Sequence, residues 1–202
     1  MYRLIINYFI AFSLAVMILL CCGSCASLSD KYLQEVEKRT SLQAPQSNKE
    51  YIFENSAFYV RNRVVLDSTE NTPYKYDMLW RCFEPKFDTE GVDWIDYQVK
   101  IEIVSDKKLK AKLLSSYGET IKERTLKYDR IGPYYKIKPK FWLWNNYILV
   151  NGFESQISAL SLSYKDDLVI VQRSVDGAFL IVMPFAGAET SDVYHYKPIS
   201  KR

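Results

Sequence analysis

A chain of 202 residues has room for one well-cored domain and too little for two comfortable ones. Its 27 Lys and Arg against 24 Asp and Glu leave a nearly neutral balance, which excludes a general nucleic-acid binder with its pronounced basic excess. One histidine and four cysteines, three of them crowded between residues 21 and 25, leave no ligand pairs for zinc.

The chain opens on Arg3, the only charge before Asp30, followed by an apolar run from Leu4 to Leu20 broken only by Asn7 and Ser13. Small residues follow at Gly23 and Ser24. A positive start, an apolar middle and a small-residue end are the layout of a secretory signal. Leu4 to Cys22 also approaches the roughly 20 residues that a transmembrane helix needs, so an uncleaved single-pass signal anchor stays open beside it.

Gly23, Ser24 and Cys25 resemble the end of a bacterial lipobox, with Cys22 standing where that box usually has an aliphatic residue. The resemblance implies that residues 1–24 are a lipoprotein signal peptide and that Cys25 becomes the first mature residue, acylated on sulfur and amine. Several acyl chains on one residue give the stable attachment that a single chain does not. By the same resemblance Ala26, where an acidic residue would favour retention at the inner membrane, favours the outer membrane of a bacterial envelope. Cys82 is then the one thiol left in the mature chain, expected to be a small buried hydrophobe between Trp80 and Phe83.

Residues 25–50 are polar, with Leu33, Val36 and Leu42 the only apolar candidates. The expectation is a short helix from about Asp30 to Thr40 and a flexible spacer through Pro45, together a lipidated tether. From Tyr51 to Arg202 the texture becomes short Tyr, Val, Ile and Phe runs between turn residues, which predicts strands. "YKYDMLWRCFEP", Tyr74 to Pro85, is the exception and predicts one or two helical turns.

Val99, Ile101 and Ile103 alternate with Lys100 and Glu102, and after a turn at residues 105–107 Leu109, Ala111 and Leu113 alternate with Lys108, Lys110 and Lys112. That is a half-buried hairpin. Further strands are expected in "TIKERTLKYD", "YYKIKPK" after Gly132-Pro133, "FWLWNNYILV" up to Asn151-Gly152, "QISALSLSY", "LVIVQRS" up to Asp176-Gly177, "AFLIVMPF" and "VYHYKPI". The fold class is therefore mostly β, an antiparallel meander of about eight strands closed into a barrel-like domain, by analogy lipocalin-like, or folded into a sandwich. The missing crossover helices exclude a parallel α/β sheet.

No familiar catalytic constellation is present, and no catalytic residue, cofactor or metal is expected. His195 is the only histidine and is read as a residue of the last strand; no Gly-x-Ser-x-Gly elbow occurs. Asp88, Glu90, Asp93 and Asp96 cluster, and an acid–base pair among them would make the protein a hydrolase; the plain reading is a solvated loop. Charge divides along the chain: Val99 to Lys140 holds twelve basic and five acidic residues, Glu50 to Asp96 ten acidic and five basic. Lys108, Lys110 and Lys112 share one strand face and Lys136, Lys138 and Lys140 another, two ladders suited to an anionic surface whose mutual placement the spacing leaves open. Trp142, Trp144 and Tyr147 are candidates to line a ligand cavity, on a strand apolar on both sides because Phe141 and Leu143 alternate with the tryptophans. The expected function is a membrane-anchored, non-catalytic envelope lipoprotein whose domain, outside the cytoplasm, binds a protein partner or a small apolar ligand.

Overall fold

The computed structural model describes residues 28–47, 49–60, 63–64, 78–87, 94, 96–145, 150–180 and 183–199. They fall into a larger unit, Leu28–Lys138, Ile157–Gln172 and Ser191–Arg202, and a smaller one, Pro139–Gln156 and Arg173–Thr190.

The fold is mostly β and antiparallel, as the alternation predicts. The larger unit is organised around a hairpin of β5 (Gln98–Ser105) and β6 (Lys108–Leu114), in which Val99 faces Leu113, Ile101 faces Ala111 and Ile103 faces Leu109. All six are buried, and their Lys and Glu neighbours point outward. On one side β5 pairs with β2 (Glu50–Glu54), and on the other β6 pairs with β7 (Thr120–Ile131), whose end pairs with β8 (Tyr134–Ile137). The turn between β7 and β8 uses Gly132 at φ 56°, a left-handed conformation that costs a glycine little. The order continues through β10 (Val150–Ser163), β11 (Leu168–Leu180) and β12 (Met183–Tyr196) to β3 (Tyr59–Val60) and β4 (Arg63–Val64).

Within the larger unit β2 is stitched to the segment that follows β12. Phe53 bridges Pro198, the Glu54 amide donates to the Lys197 carbonyl at 3.0 Å and the Ile199 amide to the Ile52 carbonyl at 2.8 Å. The stitch gives backbone partners to what would otherwise be an open edge.

The concave side is filled. A short helix α2 (Leu79–Phe83) packs Leu79, Trp80, Cys82 and Phe83 among Phe53, Tyr128, Tyr135, Tyr194, Tyr196 and the inward residues of β5 and β6. Asn55, fully buried, fixes its start: the side-chain oxygen accepts from the Trp80 amide at 2.9 Å, the backbone carbonyl accepts from the Leu79 amide at 2.8 Å, and the side-chain amide donates to the Trp94 carbonyl at 3.2 Å. These bonds take up helix-start amides that have no intrahelical partner. At the other end Glu84 accepts from Trp80 Nε1 at 3.0 Å and pairs with Arg124 and Lys122 of β7.

The N-terminal segment departs from the expected tether. Helix α1 (Asp30–Arg39) does form: Ser29 accepts from the Tyr32 amide, Asp30 sits in the first turn, and Lys38 and Arg39 sit in the last. Leu28 and Leu33, both buried, occupy the two positions of a hydrophobic staple. The helix lies on the outer face of the sheet, where Tyr134 donates to the Leu33 carbonyl at 3.0 Å and Lys136 to the Leu28 carbonyl at 3.0 Å. Beyond it β1 (Leu42–Gln43) pairs with β10, Pro45 is buried, and Tyr135 donates to the Pro45 carbonyl at 2.7 Å. Residues 28–47 are thus a docked strap, held largely by its backbone carbonyls together with the Gln43 side chain, which donates to the Ser163 carbonyl at 3.1 Å.

In the smaller unit β9 (Lys140–Asn145) pairs with the first half of β10. Two expected turns are strand here: Gly152 faces Trp144 within β10, and Gly177 lies inside β11. Gly177 answers to close approach, since a Cβ there would meet the Phe153 ring at 2.5 Å. β12 runs through residues 186–190 without a break.

Candidate functional site

The two lysine ladders meet across β7. Residues directly opposite on antiparallel strands project to the same face, about 5 Å apart at Cβ, and the register sets Lys108 opposite Lys127, Lys110 opposite Thr125 and Lys112 opposite Glu123. On the other side of β7 the Lys138 amide donates to the Lys127 carbonyl at 3.3 Å, and Lys136 stands opposite Asp129. Lys108, Lys127, Lys136 and Lys138 therefore share the outer face at one end of the larger unit, the end that also carries the β5–β6 turn with Asp106 and Lys107. Lys127, which belongs to neither sequence ladder, joins them.

The charges are not equally free. Lys110 and Lys112 reach the Glu123 carboxylate at 3.2 and 3.4 Å, and the hydrogen bond from Lys110 holds the Glu123 carboxyl below its ordinary range against a small desolvation. Lys108, Lys127 and Lys138 are exposed and have no carboxylate within ion-pair reach among the described residues. Lysines facing each other across a strand pair repel, so Lys108 and Lys127 hold a small cost that a counter-anion relieves. Lys140 belongs to the smaller unit, opposite Gln156 on β10.

On the smaller unit, Phe141 is 43 % and Leu143 57 % exposed, with the Phe141 ring stacked on Phe153 at 6.1 Å. Trp142 on the opposite face is half-buried. The side of this strand that lacks a cover is thus the Phe and Leu side. Of the other two candidate ligand-lining residues, Trp144 is described only by its backbone and Tyr147 lies outside the described residues.

The remaining titratable groups are structural in their surroundings. Cys82 is buried beside Gln172, with Sγ 3.4 Å from Oε1. His195 lies on β12 edge-on to Phe58 at 6.2 Å; burial lowers its pKa and the Asp167 charge opposes that in part. Ser163, Asp167 and His195 do not make a triad, because the Ser163 hydroxyl donates to Asp167 and accepts the Lys165 and Asp167 amides, closing the β10–β11 turn. Burial pushes the Tyr128 hydroxyl up to about 12, with Tyr135 beside it adding to the effect. Among the described residues no three His, Cys, Asp or Glu side chains gather as metal ligands would, and no helix is long and apolar enough to cross a membrane.

The chain matches no protein-family model, no curated protein and no solved structure. Its own geometry must carry the functional argument. Cys25 lies outside the described residues, as do Asp88, Glu90 and Asp93; Asp96 is exposed. What sequence reasoning missed are Asn55, Lys127 and the acceptor carbonyls of Leu28, Leu33 and Pro45; Asn55, set between the polar Glu54 and Ser56, had no more signal than the carbonyls.

Proposed function

We propose that the protein is a lipoprotein of the bacterial envelope, held by acyl chains on Cys25 at the outer membrane, whose β domain binds a protein partner and catalyses nothing. The observation that carries the choice of partner over small apolar ligand is the filled interior. Trp80 and Tyr196 are 0 % exposed and Phe53 and Phe83 1 %, so the space that a carrier would keep for its ligand is occupied by the protein's own aromatic side chains. The open Phe141 and Leu143 face supports the same reading, since adjacent exposed apolar side chains on a soluble surface mark interaction sites.

The test has two readouts. Full-length protein from a Gram-negative host gives an intact mass in the membrane fraction that starts at Cys25 with added acyl mass, and a Cys25→Ala variant loses it; an uncleaved chain indifferent to the substitution refutes the anchor. Titration with a fluorescent apolar probe gives no saturable one-to-one binding; stoichiometric binding quenched by Trp80→Phe would refute the filled interior and restore the ligand carrier.

A further inference from the structure

The N-terminal strap and the lysine cluster converge on one end of the larger unit. Lys136 holds the Leu28 carbonyl at 3.0 Å, so the chain joins the folded unit beside the lysine cluster. Lys138 lies one pleat further along the same strand direction, bonded to β7 at Lys127, and Lys127 stands opposite Lys108. The cluster faces outward, with Lys107, Lys108, Lys127 and Lys138 exposed and Lys136 half-buried; Asp129 stands opposite Lys136 in the register and Asp106 lies in the adjoining turn.

Cys25 precedes Leu28 by three residues, at most about 10 Å of fully extended chain. That reach is close to the screening length at physiological ionic strength, about 8 Å. Resting on the reading of Cys25 as the lipidated residue, we propose that the end of the domain formed by Lys108, Lys127 and Lys138 sits on the bilayer and binds its anionic phospholipid headgroups. A docked strap leaves no slack with which to lift this end out of the headgroup field, and the repulsion between Lys108 and Lys127 is relieved by the anions beneath them. Lys110 and Lys112 lie further along the strand from this end and share the Glu123 carboxylate, which halves their joint charge. Each lysine near an anionic surface strengthens attachment about fivefold. The larger unit therefore stands with this end on its membrane and the β10–β11 turn around Lys165, at the opposite end of the strands from Lys138, turned away.

Lysine acetylation read by mass spectrometry tests this on the full-length, membrane-extracted protein. The protein is reconstituted in vesicles of phosphatidylcholine alone and in vesicles with about one third phosphatidylglycerol. On the anionic vesicles Lys108, Lys127 and Lys138 label several-fold more slowly than Lys165, and on neutral vesicles the difference largely disappears. Equal labelling of all four on anionic vesicles overturns the proposal, and equal protection on both vesicle types overturns its electrostatic basis. Protection seen in crude envelopes but absent from pure anionic vesicles assigns the cluster to an acidic protein and overturns it as well. The intact mass of the same wild-type sample separates the two readings: if it carries no acyl mass at Cys25 yet Lys108, Lys127 and Lys138 are protected on anionic vesicles, the headgroup contact stands and the anchor falls. If the wild-type chain carries lipid and its lysines stay unprotected, the anchor stands and the contact falls.

Discussion

Glu84 is the place where the plug of the sheet can be loosened with a single atom change. Its carboxylate accepts from Trp80 Nε1 at 3.0 Å, meets Arg124 Nη2 at 2.5 Å and lies 3.7 Å from Lys122 Nζ. Desolvation opposes its ionisation, but the hydrogen bonds from Arg124 and Trp80 and the charges of Arg124 and Lys122 outweigh it and hold the carboxyl below 4.5. In Glu84→Gln the amide oxygen still accepts from Trp80, so only the two ion pairs are lost. Both cationic partners are about half exposed, and exposed pairs contribute about 0.2–1 kcal/mol each. The expected loss is about 1 kcal/mol at pH 7, a fall of about 0.5 M in the urea midpoint for a slope near 2 kcal/mol per M. A carboxyl depressed on folding contributes stability that is present above its unfolded pKa and lost as pH falls through the folded one. The gap between wild type and variant should therefore close progressively below pH 4.5, and narrow in molar salt. Urea unfolding followed by tryptophan emission at pH 7, 5, 4 and 3 measures it. A gap that persists unchanged at pH 3, or its absence at pH 7, would show that ion pairs do not hold α2 to β7.

Other outcomes follow from the same coordinates. Asn55→Ala strips the Trp80 amide and the Trp94 carbonyl of a buried partner, and two such losses at about 1–3 kcal/mol each should lower stability by about 3 kcal/mol in the same urea assay. Tyr135→Phe leaves the Pro45 carbonyl without its hydroxyl donor and should cost about 1–2 kcal/mol, more than Tyr134→Phe, whose acceptor at Leu33 lies inside a helix; protease cleavage within residues 40–47 should rise in the first variant only. The His195 ring should titrate below 6.5 by NMR, and since a depressed histidine contributes stability above its unfolded pKa, that contribution should fade as pH drops from 6.5 through the observed midpoint. Leu143→Ser should leave the unfolding free energy within about 0.5 kcal/mol of wild type, as exposed sites do, while reducing concentration-dependent light scattering; a large loss of stability would mean that Leu143 is covered.

Local pattern carried the hairpin of β5 and β6 into the structure intact, because alternation at period two is a property of neighbouring residues and each Val, Ile and Leu was alone responsible for its own side of the sheet. The same held for α2 ahead of Pro85. The strap was illegible for the opposite reason: two leucines, one valine, the Gln43 side chain, a two-residue pairing with β10 and the carbonyls of Leu28, Leu33, Gln43 and Pro45 hold it, a signal too sparse for a sequence window. Gly152 and Gly177 read as turns because glycine is turn-like in isolation, whereas Gly177 is fixed by the Phe153 ring, a neighbour only in space. The meeting of the lysine ladders was equally non-local, since it depends on β7 lying between β6 and β8 in a particular register.

The stitch between Ile52 and Ile199 has a consequence in time. The segments it joins lie nearly 150 residues apart along the chain, and pairings so distant form slowly because the long stretch between them must first be brought into place. Until the stitch forms, β2 keeps an open edge beside its pairing with β5. The edge that the folded protein covers is therefore the last to be protected and the first to open when the two segments part.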